Sequence, residues 1–248
     1  MAPFTAQIVD GRKTFIPLEN NPDVLAHLCE NLGVVPGLSF HDVLSVSPDM
    51  LAWVPRPIHA LVLLADRPIY NAARSHVEQM IPVYHGSGPD EPVIWMKQTI
   101  GHACGLMALL HCLLNYEGGK YIAAESELDR LRKQAITLGP DERADLLYKS
   151  EFLENAHMEA ASRGSSSAPS PADDNYHHFI GFVQKDGQVW ELNGGLNGPL
   201  LRGSLKEGDL LSKKGLALTV QDFLDAAAKG GHGEMSIVAV AEEDAQLL

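Results

Sequence analysis

The apolar positions of the chain have helical spacing in its first two thirds. Between residues 22 and 33 they recur at i, i+3, i+4 and i+7, which predicts a helix with Cys29 on its buried face. Ser47-Pro48 predicts a second, short helix that ends before Pro55. Residues 103–114 are apolar on every side and predict an internal helix. Amphipathic spacing predicts further helices over 121–134, 141–158 and 220–229.

Strand-like runs are concentrated in the last third of the chain. Apolar runs predict strands over 58–64, 177–184, 189–193 and 235–240. Asp186-Gly187 is a pair typical of a two-residue hairpin turn, so the second and third of these strands should be antiparallel neighbours. Residues 162–175 have no apolar periodicity and predict an irregular loop. Helices followed by antiparallel strands indicate an α+β fold.

Composition narrows the functional classes only a little. The chain has 248 residues, enough for one large domain or two small ones. Asp and Glu total 32 against 19 Lys and Arg, so the net charge of −13 disfavours nucleic acid and anionic membranes and suits a basic partner. Three cysteines do not make a disulfide framework, which favours a reducing compartment. We expect no signal peptide, and no apolar run is long enough to cross a bilayer.

The segment from Gln98 to Gly105 carries the strongest chemical signal. Cys104 stands at the start of the apolar helix, where unpaired N–H groups and the helix dipole favour a thiolate. The Gln98 side chain could return to the same place and, with the Cys104 N–H, bind an oxyanion. A nucleophile and an oxyanion hole would then come from one short segment. The alternative is that Cys104 is a core residue and Gln98 is incidental.

A thiolate nucleophile needs an imidazole partner, and spacing selects among eleven histidines. His111 would lie on the same helix face as Cys104 but about 10 Å away, at 1.5 Å per residue, so we interpret it as a core histidine. His102 would point away from the sulfur and is interpreted as part of the helix entrance. His178, at the start of a predicted strand, is the better candidate.

The predicted hairpin places a possible orienting group beside His178. If Asp186-Gly187 is a two-residue loop, the residue numbers of each opposed pair on the two strands add up to 373. His178 and Asn193 are then diagonal neighbours on one face, roughly 7–8 Å apart at Cα. Asn193 could then accept a hydrogen bond from the imidazole, as in Cys-His-Asn triads. A three-residue loop would instead put the two residues on opposite faces. Glu191 shares the strand face and is the fallback orienter.

Several segments together resemble one known family. The resemblance to the small, single-domain ubiquitin C-terminal hydrolases covers most of the chain. The segments that carry it are 15–25, 47–51, 54–57, 98–105, 178–180 and 190–194. Each segment alone is a weak signal, and together they are specific.

The resemblance implies a fold and a set of roles. The fold would be papain-like, with a central antiparallel sheet flanked by helices and a knotted backbone, in one catalytic domain over 1–248. Gln98 would be the oxyanion-hole donor, Cys104 the nucleophile and His178 the general base, with Asn193 in the place of the third triad residue. The loop over about 159–176 would be the family's crossover loop, and a short one favours small or unfolded adducts.

Three residues depart from the family's pattern. Asn193 replaces an aspartate, His102 an asparagine and Leu106 a small hydroxyl residue. Without a carboxylate, the pKa of His178 should fall and the thiolate–imidazolium pair should weaken. A cysteine nucleophile should suffer less than a serine would, because the pKa of free cysteine, about 8.5, lies near neutrality.

The sequence therefore predicts a thiol hydrolase that removes small or unfolded adducts from the C-terminal glycine of ubiquitin or a ubiquitin-like modifier. We expect no cofactor and no metal, no nucleic-acid or membrane partner, a monomer, and a location in the cytoplasm or the nucleus. One alternative is a ubiquitin-binding protein of weakened activity, since Asn193 replaces the aspartate. Another is a papain-like amidase with a different substrate.

Overall fold

A six-stranded sheet, antiparallel at every pairing, forms the centre of the protein in a computed structural model that describes residues 5–165, 169–173, 175–230 and 233–243. The strand order is β3-β8-β4-β5-β6-β7, and β1 and β2 form a separate hairpin. The strands are β1 Gln7–Val9, β2 Arg12–Thr14, β3 Leu38–Asp42, β4 Ile58–Asp66, β5 His177–Lys185, β6 Gln188–Leu192, β7 Leu200–Ser204 and β8 Met235–Glu242.

Helices cover both faces of this sheet, which confirms the predicted α+β class with a central antiparallel sheet. In chain order they are α1 Pro22–Asn31, α2 Pro48–Leu51, α3 Arg67–Glu78, α4 Cys104–Asn115, α5 Glu127–Thr137, α6 Pro140–Tyr148, α7 Glu151–Ala161, α8 Lys213–Leu218 and α9 Gln221–Gly230. The predicted knot stays a prediction.

The central strand β4 separates two apolar cores. Its side chains alternate, as strand geometry requires: Val62 packs with the core around α1 and α4, whereas Leu61 and Leu63 pack with the core around α3 and α9. All three residues are fully buried. Because β4 is buried on both faces, its sequence is a continuous apolar run rather than an alternating one.

Helix α4 lies directly on β5 because Gly181 has no side chain. A Cβ at this position would come within 3.0 Å of the Ala108 carbonyl oxygen. The close approach holds the start of α4, and with it Cys104, near the start of β5. Strand β6 continues the sheet on the other side of β5, with Lys185 opposite Gln188 and Gly181 opposite Leu192.

This register confirms the two-residue hairpin. Both pairs sum to 373, and the turn residues Asp186 and Gly187 have positive φ angles of 52° and 70°. A type I′ turn needs positive φ at both central positions, and Asp-Gly meets that need. The predicted orientation of β5 against β6 is therefore correct, which places His178 and Asn193 on one face.

Some predicted boundaries are wrong. The helix expected from 121 begins only at Glu127, where Ser126 caps it by accepting the Asp129 N–H. The helix expected over 141–158 is two helices: the first ends at Tyr148 with Lys149 as its C-cap, and Ser150 caps the second by accepting the Leu153 N–H. Helix α7 also continues to Ala161, three residues beyond the predicted helix end at 158.

The sequence patterns gave no expectation for β1, β2, β3, β7, α3 and α8. The most important of these elements is α3, which Asp66 caps by accepting the Ile69 N–H at 3.0 Å. Its anchor is Arg74, 1% exposed, which is ion-paired at 2.8 Å with Glu191, 0% exposed, on β6. Arg74 also binds Asp222 of α9 at 2.8 Å. The Arg74–Glu191 pair joins α3 to the sheet close to the end of β6.

Glu191→Ala should lower the free energy of unfolding by about 3 kcal/mol, because it leaves the buried Arg74 with only Asp222 as a carboxylate partner. Urea denaturation followed by circular dichroism measures the change. As a control, Asp145→Ala breaks the exposed Asp145–Lys149 pair and should cost about 0.5 kcal/mol or less. A loss below about 1 kcal/mol for Glu191→Ala would contradict the anchoring role.

Candidate active site

Cys104 is the first residue of α4 and is 5% exposed. The preceding residue, Ala103, has no side chain that could cap the helix, so the first-turn N–H groups have no capping acceptor there. The Cys104 sulfur takes that place, since it accepts hydrogen bonds from the N–H groups of Gly105 and Phe179. The helix start and β5 therefore both stabilise negative charge on the sulfur.

His178 lies beside this sulfur and hydrogen-bonds with it. The imidazole Nε2 is 2.7 Å from Oδ1 of Asn193, which leaves Nδ1 to face Cys104. The structure thus brings together three of the side chains that the sequence singled out. They come from α4, from β5 and from the residue that follows β6.

The thiol and the imidazole shift each other's pKa towards a charged pair. Burial alone would raise the pKa of Cys104, but the hydrogen bond and charge of His178 lower it below its ordinary value. Burial alone would lower the pKa of His178, but Cys104 and the hydrogen bond to Asn193 raise it above its ordinary value. The arrangement favours thiolate and imidazolium over their neutral forms.

Asn193 is 1% exposed and is held at both ends of its amide. Its Oδ1 accepts the Gly195 N–H at 2.8 Å as well as the imidazole, and its Nδ2 donates to the Tyr70 hydroxyl at 3.0 Å. Its carbonyl accepts the Trp95 indole N–H at 3.1 Å. The expected weakening relative to an aspartate stays a prediction, although the pKa of His178 is already raised with the amide in place.

Gln98 is fixed next to this group through its backbone. Its N–H donates to the Gly194 carbonyl at 2.8 Å, and a Cβ on Gly194 would lie 2.9 Å from the Cβ of Gln98. The side-chain Nε2 donates to the Ile100 carbonyl at 3.0 Å, which occupies one of its two hydrogens. The second hydrogen remains for a substrate oxygen, so the oxyanion-hole role stays a prediction.

The other two departures from the family's pattern have structural settings. His102 has a left-handed φ of 54°, a conformation in which Asn, Asp and His are enriched. Leu106 is 1% exposed and belongs to the core around α4. Neither side chain is the partner of Cys104.

The remaining candidates lie away from the reacting groups. Cys29 is buried in α1, and His111 is fully buried and accepts the Met96 N–H at 3.0 Å. Glu191 does share the face of Asn193, but it is bound to Arg74. It is therefore not the orienter of His178, and the fallback prediction is wrong.

Sequence reasoning missed Tyr70 and Glu78. The Tyr70 ring lies edge-on to the His178 ring, with centroids 5.2 Å apart, and its hydroxyl donates to Glu78. Both residues belong to α3, for which no helix was expected. The available signal was Asp66-Arg67-Pro68, an N-cap followed by proline in the first turn.

Within the described ranges, no three His, Cys, Asp or Glu side chains are grouped so that they could hold a metal ion. Among the helices of those same ranges, none is both long enough and apolar enough to cross a membrane.

A cysteine at a helix start with a strand histidine against it is the arrangement of papain-like thiol hydrolases. The sequence profile of the family "Ubiquitin carboxyl-terminal hydrolase, family 1" matches residues 15–225. A ubiquitin carboxyl-terminal hydrolase of Aplysia californica is 36% identical over 194 residues, which are 78% of this chain and 88% of that protein. The YUH1 hydrolase of Saccharomyces cerevisiae is 31% identical over 223 residues, 87% of this chain and 90% of its own.

A solved structure agrees in fold. The catalytic domain of Trichinella spiralis UCH37, crystallised with ubiquitin vinyl methyl ester, has a TM-score of 0.68 at 20% identity and covers 93% of this chain and 96% of its own. The chain therefore belongs to the ubiquitin carboxyl-terminal hydrolase family 1.

Alkylation of native protein by iodoacetamide should show Cys104 reacting with a pH midpoint below that of an ordinary thiol, because His178 lowers its pKa. His178→Ala should move the midpoint upward. The modified residue is identified by mass spectrometry of peptides. Cys104→Ser is the control and should not react, since burial raises the pKa of Cys112 to about 12 and also raises that of Cys29. A wild-type midpoint at or above the ordinary value would contradict the paired state.

Proposed function

We propose that this protein is a thiol hydrolase that cleaves the bond after the C-terminal glycine of ubiquitin, or of a ubiquitin-like modifier, through an acyl-enzyme on Cys104. The observation that carries the proposal is the hydrogen bond between the Cys104 thiol and the His178 imidazole at the start of α4. Family membership supports the substrate class.

The first half of the reaction forms the acyl-enzyme. His178 takes the thiol proton on Nδ1, and the Cys104 sulfur attacks the glycine carbonyl carbon. The carbonyl electron pair moves to oxygen, where the N–H of Cys104 and the free Nε2 hydrogen of Gln98 bind it. The tetrahedral species collapses, the C–N bond breaks, and the imidazolium gives its proton to the leaving amine.

The second half releases the modifier. Water enters in place of the amine, and His178 removes one of its protons as the water oxygen attacks the thioester. The C–S bond breaks, the new carboxylic acid loses its remaining proton to the solvent as the modifier leaves, and Cys104 returns to the thiolate beside the imidazolium. Asn193 keeps Nε2 of His178 protonated throughout, so that Nδ1 is the site that exchanges protons with the sulfur and the water.

The preferred adducts follow from charge and from the loop between α7 and β5. The net charge of −13 suits the basic C-terminal tail of the modifier. The loop would be the crossover loop, and a short one excludes bulky folded adducts. Part of the predicted loop, residues 166–168 and 174, lies outside the described residues. The three unpaired cysteines fit a reducing compartment such as the cytoplasm or the nucleus, and we keep the expectation of a monomer and of one catalytic domain.

Wild-type protein should release dye from a ubiquitin–fluorophore amide, and Cys104→Ala should reduce the turnover to background, because no other described cysteine pairs with a histidine. Ubiquitin carrying a C-terminal electrophile should label the wild type and leave Cys104→Ala unlabelled. Tight ubiquitin binding without dye release would favour the weakened ubiquitin-binding protein instead. Cleavage of small amides with no effect on ubiquitin would favour an amidase of another substrate.

Asn193→Asp should keep or raise kcat/KM near pH 7, because a carboxylate accepts the Nε2 hydrogen and adds a charge that favours imidazolium. Steady-state turnover of the same amide measures the change. A collapse of activity in a variant that still folds would mean that Asn193 does not orient His178.

A further inference from the structure

A line of hydrogen bonds leads from His178, on the side away from Cys104, to a carboxylate on α3. The imidazole Nε2 meets Oδ1 of Asn193 at 2.7 Å, and Nδ2 of Asn193 meets the Tyr70 hydroxyl at 3.0 Å. The Tyr70 hydroxyl in turn hydrogen-bonds to Oε1 of Glu78. Asn193 is buried, and Tyr70 and Glu78 are half-buried, so the line is shielded from much of the solvent.

The last group in the line determines the direction of every bond before it. An ionised carboxylate only accepts hydrogen bonds, so Tyr70 must use its single proton on Glu78. The Tyr70 oxygen can then only accept from Asn193, which turns the amide nitrogen of Asn193 towards Tyr70. The amide oxygen is therefore directed at His178, and only a protonated Nε2 satisfies it.

Direction matters here because Asn193 is an amide. An aspartate presents an acceptor whichever way it is turned, whereas an asparagine turned by 180° presents an N–H₂ group to the histidine. That orientation would stabilise the tautomer whose proton lies on Nδ1, and this tautomer cannot take the proton of the Cys104 thiol. In a serine protease, replacing the triad aspartate by asparagine lowers turnover by about 10⁴-fold through the wrong tautomer.

We infer that Glu78 is a positioning residue for catalysis: through Tyr70 it holds the Asn193 amide with its oxygen towards His178. The inference rests on the roles proposed above for Cys104 and His178. It explains how an asparagine can serve where the family's pattern has a charged acceptor. Glu78 itself touches neither the nucleophile nor the imidazole.

The charges around the line agree with this role. Burial and the hydrogen bond to Glu78 both raise the pKa of Tyr70, so the phenol keeps the proton that the line requires. The charge of Glu78 also adds to the causes that raise the pKa of His178, after Cys104 and Asn193. Glu191 is the other carboxylate that acts on Tyr70, and it is neutralised by its ion pair with Arg74 and by Arg202 at 3.9 Å.

A second contact limits the size of the expected effect. The Gly195 N–H donates to the same Oδ1 of Asn193 at 2.8 Å and favours the same amide orientation. Loss of Glu78 therefore weakens the preference without abolishing it, and the loss of activity should be well below about 10⁴-fold.

The first test is Glu78→Gln, assayed by turnover of the ubiquitin–fluorophore amide between pH 5 and 10. We expect kcat/KM near pH 7 to fall by about 10- to 100-fold, below most of the about 10²- to 10⁴-fold that general acid–base catalysis contributes, because the Gly195 N–H still holds the amide. Weaker pairing between the thiolate and the imidazolium raises the pKa of Cys104 and lowers that of His178. In the pH profile of kcat/KM, the acidic limb should therefore move to higher pH and the basic limb to lower pH. Glu207→Gln, on an exposed loop, removes the same charge and should leave the profile unchanged.

The second test is a double-mutant cycle with Asn193→Asp. An aspartate accepts in either orientation and can take the Tyr70 proton itself, so Glu78→Gln should cost less than about threefold in that background. If the role of Glu78 were purely structural, Glu78→Gln would lower kcat/KM by the same factor in the wild-type and the Asn193→Asp backgrounds. Tyr70→Phe keeps the ring against His178 and removes the hydroxyl, so it should match Glu78→Gln and show the same dependence on residue 193.

The outcomes separate this inference from the proposed function. Equal losses in the wild-type and Asn193→Asp backgrounds, or an unchanged pH profile for both Glu78→Gln and Tyr70→Phe, would overturn the positioning role. If Glu78→Gln fails to fold by circular dichroism, Tyr70→Phe decides alone. Iodoacetamide alkylation of Cys104 reports the same pKa change without ubiquitin. Turnover by Cys104→Ala at the wild-type rate would instead refute the proposed function.

Discussion

The contact between one sulfur and one imidazole depends on two elements that are distant in the chain. Cys104 is placed by the start of α4, and His178 by the start of β5. The two elements lie against each other because Gly181 has no side chain to keep the α4 backbone away from the strand. Burial opposes charge on both reacting groups, and their mutual proximity reverses that effect, together with N–H donors around the sulfur and Asn193 beside the imidazole.

Around this contact the polar groups are arranged by a helix that takes no direct part in the chemistry. Helix α3 brings Tyr70 to Asn193, and the Arg74–Glu191 ion pair fixes that helix to β6. Strand β6 therefore carries Glu191, whose ion pair anchors α3, and is followed directly by Asn193, whose amide α3 orients. The residues that anchor α3, Arg74 and Glu191, differ from those that orient the amide, Tyr70 and Glu78. A substitution in one pair can therefore be measured apart from the other pair.

Much of the fold and part of the site followed from local patterns. Helical periodicity located α1 and α4, and the Asp-Gly pair determined the register that puts His178 and Asn193 on one face, since a two-residue turn admits a single pairing. Local patterns failed where capping residues divide a polar helix, as at Ser150. They also failed for α3, whose buried face includes an arginine and whose partners lie on β6 and α9. The role of Glu191 depended on tertiary contact with Arg74, which no spacing within β6 reveals.

The strand order has a consequence for biogenesis. Strand β8 lies between β3 and β4, with backbone pairs to both, although it follows every other strand of the sheet in sequence. During synthesis on the ribosome, β3 and β4 therefore emerge with open edges that nothing earlier in the chain can fill. Until β8 is released, the edges of β3 and β4 that face it stay unpaired, so the six-stranded sheet closes only after β8 has been synthesised.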